Sequence, residues 1–482
     1  MPFSSDYDPD PRHLTLGDAF FDAVEPAAFP VTVLRFRNQR WAERVGLGGL
    51  NEAEWLAHLG RFQPLPDNLP QPLALRYHGH QFRSYNPELG DGRGFLFAQM
   101  RDPADGRLLD LGTKGSGRTP WSRRGDGRLT LKGGLREVLA TEMLEALGVY
   151  TSKSLSLIET GEALQRNDEP SPTRSAVLVR LSHGHVRFGT FQRLMALGDE
   201  ANLRRLVDYS IATYWPEAAR APDPALALFS HVVGAMAQLA AEWAAAGFVH
   251  GVLNTDNMVI TGESFDYGPW RFLPVLEPGF TAAYFDENGL YCFGRQPGAL
   301  AWNLARLAEC LLPLTPQEGL ETALKKYSET FETALARQTF ARLGLAPAGD
   351  NQARALTLAF YGALTATKCP FERAFFDLFG GADPARLMES PSREAYHTVG
   401  FANALELIRG SPINPLATAA EKDRYFNAER SQTMLVDEVE RIWDAIDARE
   451  DWTPFEHKVA AIRAMGAAYA PLLPAREGHV VV

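Results

Sequence analysis

The chain has 482 residues, 45% of them hydrophobic and 22% charged, an ordinary globular composition with ample core for one large or two to three modest domains. Its formal net charge of −11 argues against a general nucleic-acid binder, which needs an excess of Lys and Arg against phosphate, so any anion site must be a local basic cluster. Three widely spaced cysteines, Cys292, Cys310 and Cys369, with no CxxC, indicate neither a disulfide framework nor a zinc site and suit a reducing compartment.

The N-terminal "MPFSSDYDPDPRH" lacks both a basic n-region and an apolar h-region, so it reads as neither a signal nor a transit peptide, and a cytoplasmic location is expected. Residues 1–75 mix short apolar runs with prolines and read as an irregular N-terminal extension. Residues 76–194 read as a strand-rich lobe. A Gly-rich "ELGDGRGF" (88–95) leads into the strand pair "FLFAQM" (95–100) and "RLLDLGTK" (107–114), joined by the Pro/Gly-containing "RDPADG". A helix is predicted over "LKGGLREVLATEMLEALG", with Leu135, Val138, Leu139, Met143 and Leu147 at helical spacing and Gly148 ending it. "SAVLVRL" (175–181) reads as a further strand.

Residues 195–345 read as a helical lobe interrupted by a catalytic-looking loop, "HGVLNTDNMVITGESFDYGPW" (250–270). The apolar stretch 225–249 carries His231, Gln238 and Glu242 and reads as a buried helix rather than a membrane span. Residues 346–482 are again helical, for example "MLVDEVERIWDAID" (434–447), and there are no internal repeats. Strands first, helices second and the loop early in the helical part make an α+β protein kinase-like two-lobe fold with N- and C-terminal extensions. A nucleotide is expected in the cleft between the lobes.

The alternating Gly90, Gly92 and Gly94 just before a strand suit backbone approach to phosphates, although the same run reads as a plain turn. A strand following the glycines disfavours a dinucleotide fingerprint. Lys114 ends the second strand of the hairpin and Glu137 lies on the next helix, the pairing by which kinases aim an ammonium at phosphates. Seven basic residues, Lys114, Arg118, Arg123, Arg124, Arg128, Lys132 and Arg136, fall in one short run, and Arg180 and Arg187 bracket "LSHGHVRFG". Guanidiniums grip phosphate oxygens bidentately, so the group reads as an anion pocket. Asp126-Gly127 in "RRGDGR" reads equally as turn chemistry.

Asn257 and Asp266, nine apart, allow a loop residue and a strand-end residue to converge on Mg²⁺, which takes a few protein oxygens plus substrate phosphates. In kinases with a His-Gly opening, an Asp follows directly as the base; here that place holds Val252. Asp256, beside the metal-type Asn257, is the replacement base, and His250 reads as structural. A shifted base suggests a shifted reacting phosphorus.

The motifs "YHGHQF...ELGDGRG", "LGTKGSGRTPWSRRGDGR", "LREVLATEMLEALG", "HVRFGTFQ", "HGVLNTDNM...FDYGPW" and "QPGALAWNLARLAECLLPL" together resemble the selenoprotein O family of pseudokinases over residues 14–315. The resemblance implies a kinase-like fold binding ATP in a flipped pose, with AMP passed to Ser, Thr or Tyr hydroxyls of protein substrates and pyrophosphate released; some bacterial members transfer UMP from UTP with manganese. By motif, Asp256 would accept the proton, Asn257 and Asp266 would hold Mg²⁺ or Mn²⁺, and Lys114, steadied by Glu137, would contact phosphates. Gly90, Gly92, Arg93, Asp126 and Gly127 would lie along the nucleotide, with Arg180 and Arg187 on the terminal phosphate. Membrane and nucleic-acid partners are not expected, and the oligomeric state is open.

The chain also departs from the family pattern. It has "HQFRSYNPELG" where the family has "HQFG-F-PQLG", "INPLATAAEKDRYFN" (413–427) in its C-terminal part, and ends in "REGHVVV" without a cysteine or selenocysteine motif. A conventional kinase and a catalytically silent nucleotide-binding scaffold remain the competing readings.

Overall fold

The computed structural model describes residues 2–167, 169–420 and 424–474; the terminal "REGHVVV" and part of the 413–427 stretch lie outside the described residues. The chain is a mixed α and β protein with a multi-stranded sheet and many helices. In chain order the strands are β1 (Phe21–Ala23), β2 (Val33–Arg37), β3 (Leu73–Leu75), the hairpin β4 (Gly79–Gln81) and β5 (Ser84–Asn86), β6 (Leu96–Arg101), β7 (Leu108–Lys114), β8 (Leu129–Thr130), β9 (Lys153–Leu164), β10 (Thr173–Ser182), β11 (Phe248–Val249) and β12 (Arg271–Phe272). Eight of them form an antiparallel sheet of order β1-β3-β6-β7-β10-β9-β2, with β8 pairing to β10.

Both faces of this sheet are covered, which explains why β7 is buried at every residue. Along β10 the side chains alternate: Val177 and Val179 join a core with Trp55, Phe62 and Phe95, while Ala176 and Leu178 join the opposite core with Leu135 and Val138. The second core is the inner face of the helix Leu131–Ala146. Thr130 caps that helix by accepting from the Gly133 N–H, and Gly148 follows its end at φ +79°.

The irregular reading of residues 1–75 does not hold. This segment supplies both edge strands, β1 and β2, and two helices, Gln39–Arg44 and Glu52–Leu59. The second helix opens with a reciprocal Asn51/Glu54 capping box. Trp55 on it is fully buried and donates its indole N–H to Ser156 Oγ at 2.9 Å. Strands of three to five residues beside prolines are too short to display a two-residue period, so their pairing is decided by the sheet they join.

Beyond residue 182 the described elements are helical apart from the two-residue strands β11 and β12. The helix Pro224–Ala246 is long and apolar enough by composition to cross a membrane, yet its Phe229, Val232, Leu239 and Trp243 are buried in the core. The helix predicted over 434–447 is observed at Val436–Arg449. With Thr453–Tyr469 it returns to the helix Leu131–Ala146: Lys132 pairs with Glu440 at 2.6 Å, and Arg463 binds Glu142 through two contacts of 2.7 Å.

Arg342, at the end of the helix Tyr327–Arg342, has a fully buried guanidinium. It donates to the Ala245 carbonyl and to Glu372, and its guanidinium centre lies 3.9 Å from the Phe375 ring centroid. Arg342→Ala should therefore cost about 3–5 kcal/mol, because it strands a buried carboxylate. The loss is expected as a lower urea midpoint with an unchanged slope.

Candidate active site

The glycines of "ELGDGRGF" are required by close packing. A Cβ on Gly90 would fall 2.4 Å from Trp121 Cγ, on Gly92 2.9 Å from the Trp121 carbonyl, and on Gly94 2.0 Å from the Thr113 carbonyl of β7. The 119–128 loop thus lies directly on the Gly-rich turn, held by Thr119 and Ser122 hydroxyls donating to the Asp91 and Gly92 carbonyls. Together the two loops wall a cleft of about 690 Å³ that also reaches Lys114, Arg180, Arg187, Asp256 and Asp266.

Lys114 sits at the end of β7, and its ammonium is shared by Glu137 and Asp266, the latter at 2.8 Å. Arg180, on β10, reaches the same Asp266 oxygen at 3.1 Å. Arg187 immediately precedes the helix Phe188–Ala196 and contacts Asp91 at 3.2 Å and the Asp256 carbonyl at 2.8 Å. The Phe265 ring lies 5.6 and 4.8 Å from the two guanidiniums, and Tyr77 lies 4.5 Å from that of Arg187. Such stacking holds arginines whose charge is otherwise costly to bury.

The loop 250–270 is closed at its base by β11 pairing with β12, which brings Asp256 and Asp266 to one wall. His250 is buried and donates its Nε2–H to the Phe265 carbonyl at 3.0 Å, which ties the two ends of the loop together. Val252 occupies the position after His-Gly, and its carbonyl accepts from Asn257 Nδ2 at 3.0 Å. That bond ties down the amide nitrogen of Asn257 and leaves its oxygen for a cation; Asn257 itself is not on the cleft wall. Asp266 is held at φ +61°, the left-handed region, a strained conformation of the kind concentrated at working sites.

The two aspartates differ in electrostatics. Burial pushes the Asp256 carboxyl up to about 6, against the pull of Arg187. Burial also opposes charge on Asp266, but Lys114, Arg180, Arg187 and Arg93 outweigh it and hold that carboxyl well below the usual range. The cleft therefore pairs a firmly ionised carboxylate among cations with a second carboxylate whose proton is easily exchanged. Four buried polar atoms here have no hydrogen-bond partner: Glu137 Oε2, Arg180 Nε, Arg187 Nε and Asp256 Oδ1.

The side-chain oxygens of Asp266 and Asn257 are of the donor type that a divalent cation takes. Mg²⁺ needs few protein oxygens when phosphates supply the rest, and Asp266 with the Asn257 amide oxygen offers two. Among the described residues no cluster of three or more His, Cys, Asp or Glu stands ready to bind a metal unaided.

Asp126 accepts from the Arg128 N–H at 3.0 Å and pairs with Arg166 at 2.8 Å. Gly127 is at φ +71°, and a Cβ there would fall 2.3 Å from the Gly117 carbonyl carbon. Arg93, Asp126 and Gly127 all lie on the cleft wall. The seven-residue basic run does not form one pocket. Arg123, Arg124 and Arg128 join Lys114 at the cleft, and Arg118 lines a neighbouring depression. Lys132 turns away to Glu440, and Arg136 lies 4.7 Å from the Trp270 ring centroid. Lys132 and Arg136, four apart on the helix Leu131–Ala146, share a face turned to Glu440 and Trp270, whereas the others belong to β7 and the loop after it, so sequence proximity does not make a shared site. The residues missed from sequence are Asp91, hidden in a motif read only for its glycines, and Arg166, whose partner lies 40 positions earlier. Phe265 and Tyr77 carried no signal beyond ordinary core composition.

A family model described as "Protein adenylyltransferase SelO" matches residues 4–463, well past the motif-bearing stretch. Curated relatives carry the name "Protein nucleotidyltransferase YdiU". The one from Gloeobacter violaceus is 44% identical over 464 residues, 95% of each chain. Those from Synechocystis sp. and Trichormus variabilis are 41% and 38% identical over 474 and 477 residues, covering 94% and 95% of this chain and 97% and 96% of their own.

The loop packing is directly testable. Gly127→Ala should cost about 1–3 kcal/mol, from backbone strain and the Gly117 clash. Gly268→Ala, with no atom within 4 Å of its added Cβ, should be near neutral in the same denaturant titration.

Proposed function

Because the chain belongs to the SelO family, whose relatives are protein nucleotidyltransferases, we propose that it moves AMP from ATP to Ser, Thr or Tyr hydroxyls of proteins, with release of pyrophosphate. The observation that carries this reading is the position of the base. Val252 stands where a kinase base would be, whereas Asp256 presents a buried, unpartnered Oδ1 to the cleft. In this reading the chain is a kinase-like two-lobe protein that takes the triphosphate in the reversed sense. The α-phosphorus then meets the acceptor.

The steps follow from the chain's own groups. Asp256 accepts the proton of the incoming hydroxyl, its environment already favouring exchange of a proton near neutrality. The hydroxyl oxygen bonds to the α-phosphorus as the bond from that phosphorus to the bridging oxygen breaks, and the electron pair leaves with pyrophosphate. Mg²⁺ or Mn²⁺ held by Asn257 and Asp266 would supply charge neutralisation at the triphosphate. Lys114 and Arg180, which neutralise Asp266 in this structure, would donate to phosphate oxygens with a cation held at that carboxylate. Arg187 adds a third positive group, so the departing charge meets preorganised donors. Glu137 keeps Lys114 in place throughout.

ATP labelled at the α or the γ phosphate, supplied with Mg²⁺ or Mn²⁺, distinguishes the outcomes. Label is expected in protein from the α position only. Entry from γ would mean a kinase, and entry from neither a silent nucleotide-binding protein. Asp256→Ala and Asp266→Ala should each remove transfer, and UTP in place of ATP tests the choice of nucleotide.

A further inference from the structure

Among the described residues no other side chain hydrogen-bonds the Asp256 carboxylate: its hydrogen-bonding group is its own backbone N–H, and its Oδ1 is buried without a partner. A base in that state still has to point one way for proton transfer, since orientation contributes as much as basicity. What surrounds it is unusually well tied. The backbone N–H of His80 donates to Thr255 Oγ1 at 2.7 Å, and Thr255 Oγ1 donates to Gln192 Oε1 at 2.6 Å. Gln192 Nε2 in turn donates to His80 Nδ1 at 2.8 Å, closing the ring. One residue earlier, Asn254 Oδ1 accepts from the Phe82 N–H at 3.0 Å and from the Tyr291 hydroxyl at 2.9 Å.

The hairpin β4–β5 supplies both backbone donors, and it does so at a conformational cost. Phe82 and Arg83, its two turn residues, sit at φ +48° and +66°. This left-handed pair is the one a two-residue hairpin turn demands and the one that Asn-Gly usually fills. The hairpin is also pressed against the other two elements. A Cβ on Gly189 would lie 2.1 Å from the His78 carbonyl, and a Cβ on Gly79 would lie 3.0 Å from Asp256 Oδ1. Gln192 follows Arg187 by little more than one turn in the helix Phe188–Ala196, so the same short helix serves the phosphate side and the base side of the cleft.

We infer that the hairpin β4–β5 and Gln192 form a clamp that aims Asp256, with Thr255 and Asn254 as positioning residues and Gly79 as the slot that admits the carboxylate. This rests on the reading of Asp256 as the base. It assigns a role to the "YHGHQF" stretch, which contacts no reacting atom in the mechanism above.

The test compares Thr255→Val, which keeps shape and deletes the hydroxyl, with Thr255→Ser, which restores it. Thr255→Val should lower kcat for transfer of α-labelled ATP on the order of 100-fold while leaving KM for ATP within about two-fold, and Thr255→Ser should recover most of the loss. An unchanged kcat in Thr255→Val, or a loss that Thr255→Ser does not rescue, would overturn the clamp. Amide hydrogen exchange at residues 254–257 decides the matter independently of turnover: Thr255→Val should speed it about ten-fold, since the loop opens locally, and Thr255→Ser should not. Unchanged exchange in Thr255→Val refutes the clamp even if the wild type transfers no label, a result that would sink the functional reading separately. Gly79→Ala should reproduce the kcat loss with exchange unaltered, because it displaces the carboxylate without cutting the clamp.

Discussion

The buried ion pair between Lys114 and Glu137 is the contact on which the rest of the arrangement depends. Their side chains are only 5% and 1% exposed, so neither charge has water to fall back on, and each is tolerable only because the other is present. The pair joins the end of β7 to the helix Leu131–Ala146 and so fixes how that helix lies on the sheet. It also leaves the ammonium with capacity for a second acceptor, which Asp266 takes. Through Asp266 the same network reaches Arg180 on the neighbouring strand, so that a sheet, a helix and the 250–270 loop are held by one set of charges.

That network explains why the two aspartates of the loop behave differently although they share one wall. Asp266 lies among four cations and stays ionised; Asp256 has Arg187 near it but spends that contact on its backbone carbonyl. The C-terminal helices contribute at a distance. By binding Lys132 and Glu142 on the helix Leu131–Ala146, they brace the element that carries Glu137. A region without recognisable chemistry of its own thus takes part in aiming Lys114.

The strand-then-helix order, the β6–β7 hairpin, the helix 131–146 and the helix near 434–449 could be read from the sequence because each is long enough to show its period or its caps. The edge strands β1 and β2 could not, because a strand of three to five residues carries no period, and the sheet decides its pairing. In the site, Lys114, Glu137, Asp256 and Asp266 stood out because their types and order match a known chemistry. Arg166 and Asp91 did not, since their partners are set by the folding of the 119–128 loop and of the helix start at Arg187.

By itself the sequence determined the mixed α and β class, the family and the set of charged residues available for phosphate chemistry, because residue type, order and periodicity are local properties of the chain. Only the tertiary structure decided which of the seven clustered cations face the cleft, which aspartate is held toward its charged form and which is pushed up by burial, and that Gly90 and Gly92 lie against Trp121. These outcomes depend on burial and on distances between residues far apart in the chain, and a side chain's charge state and direction follow from what surrounds it.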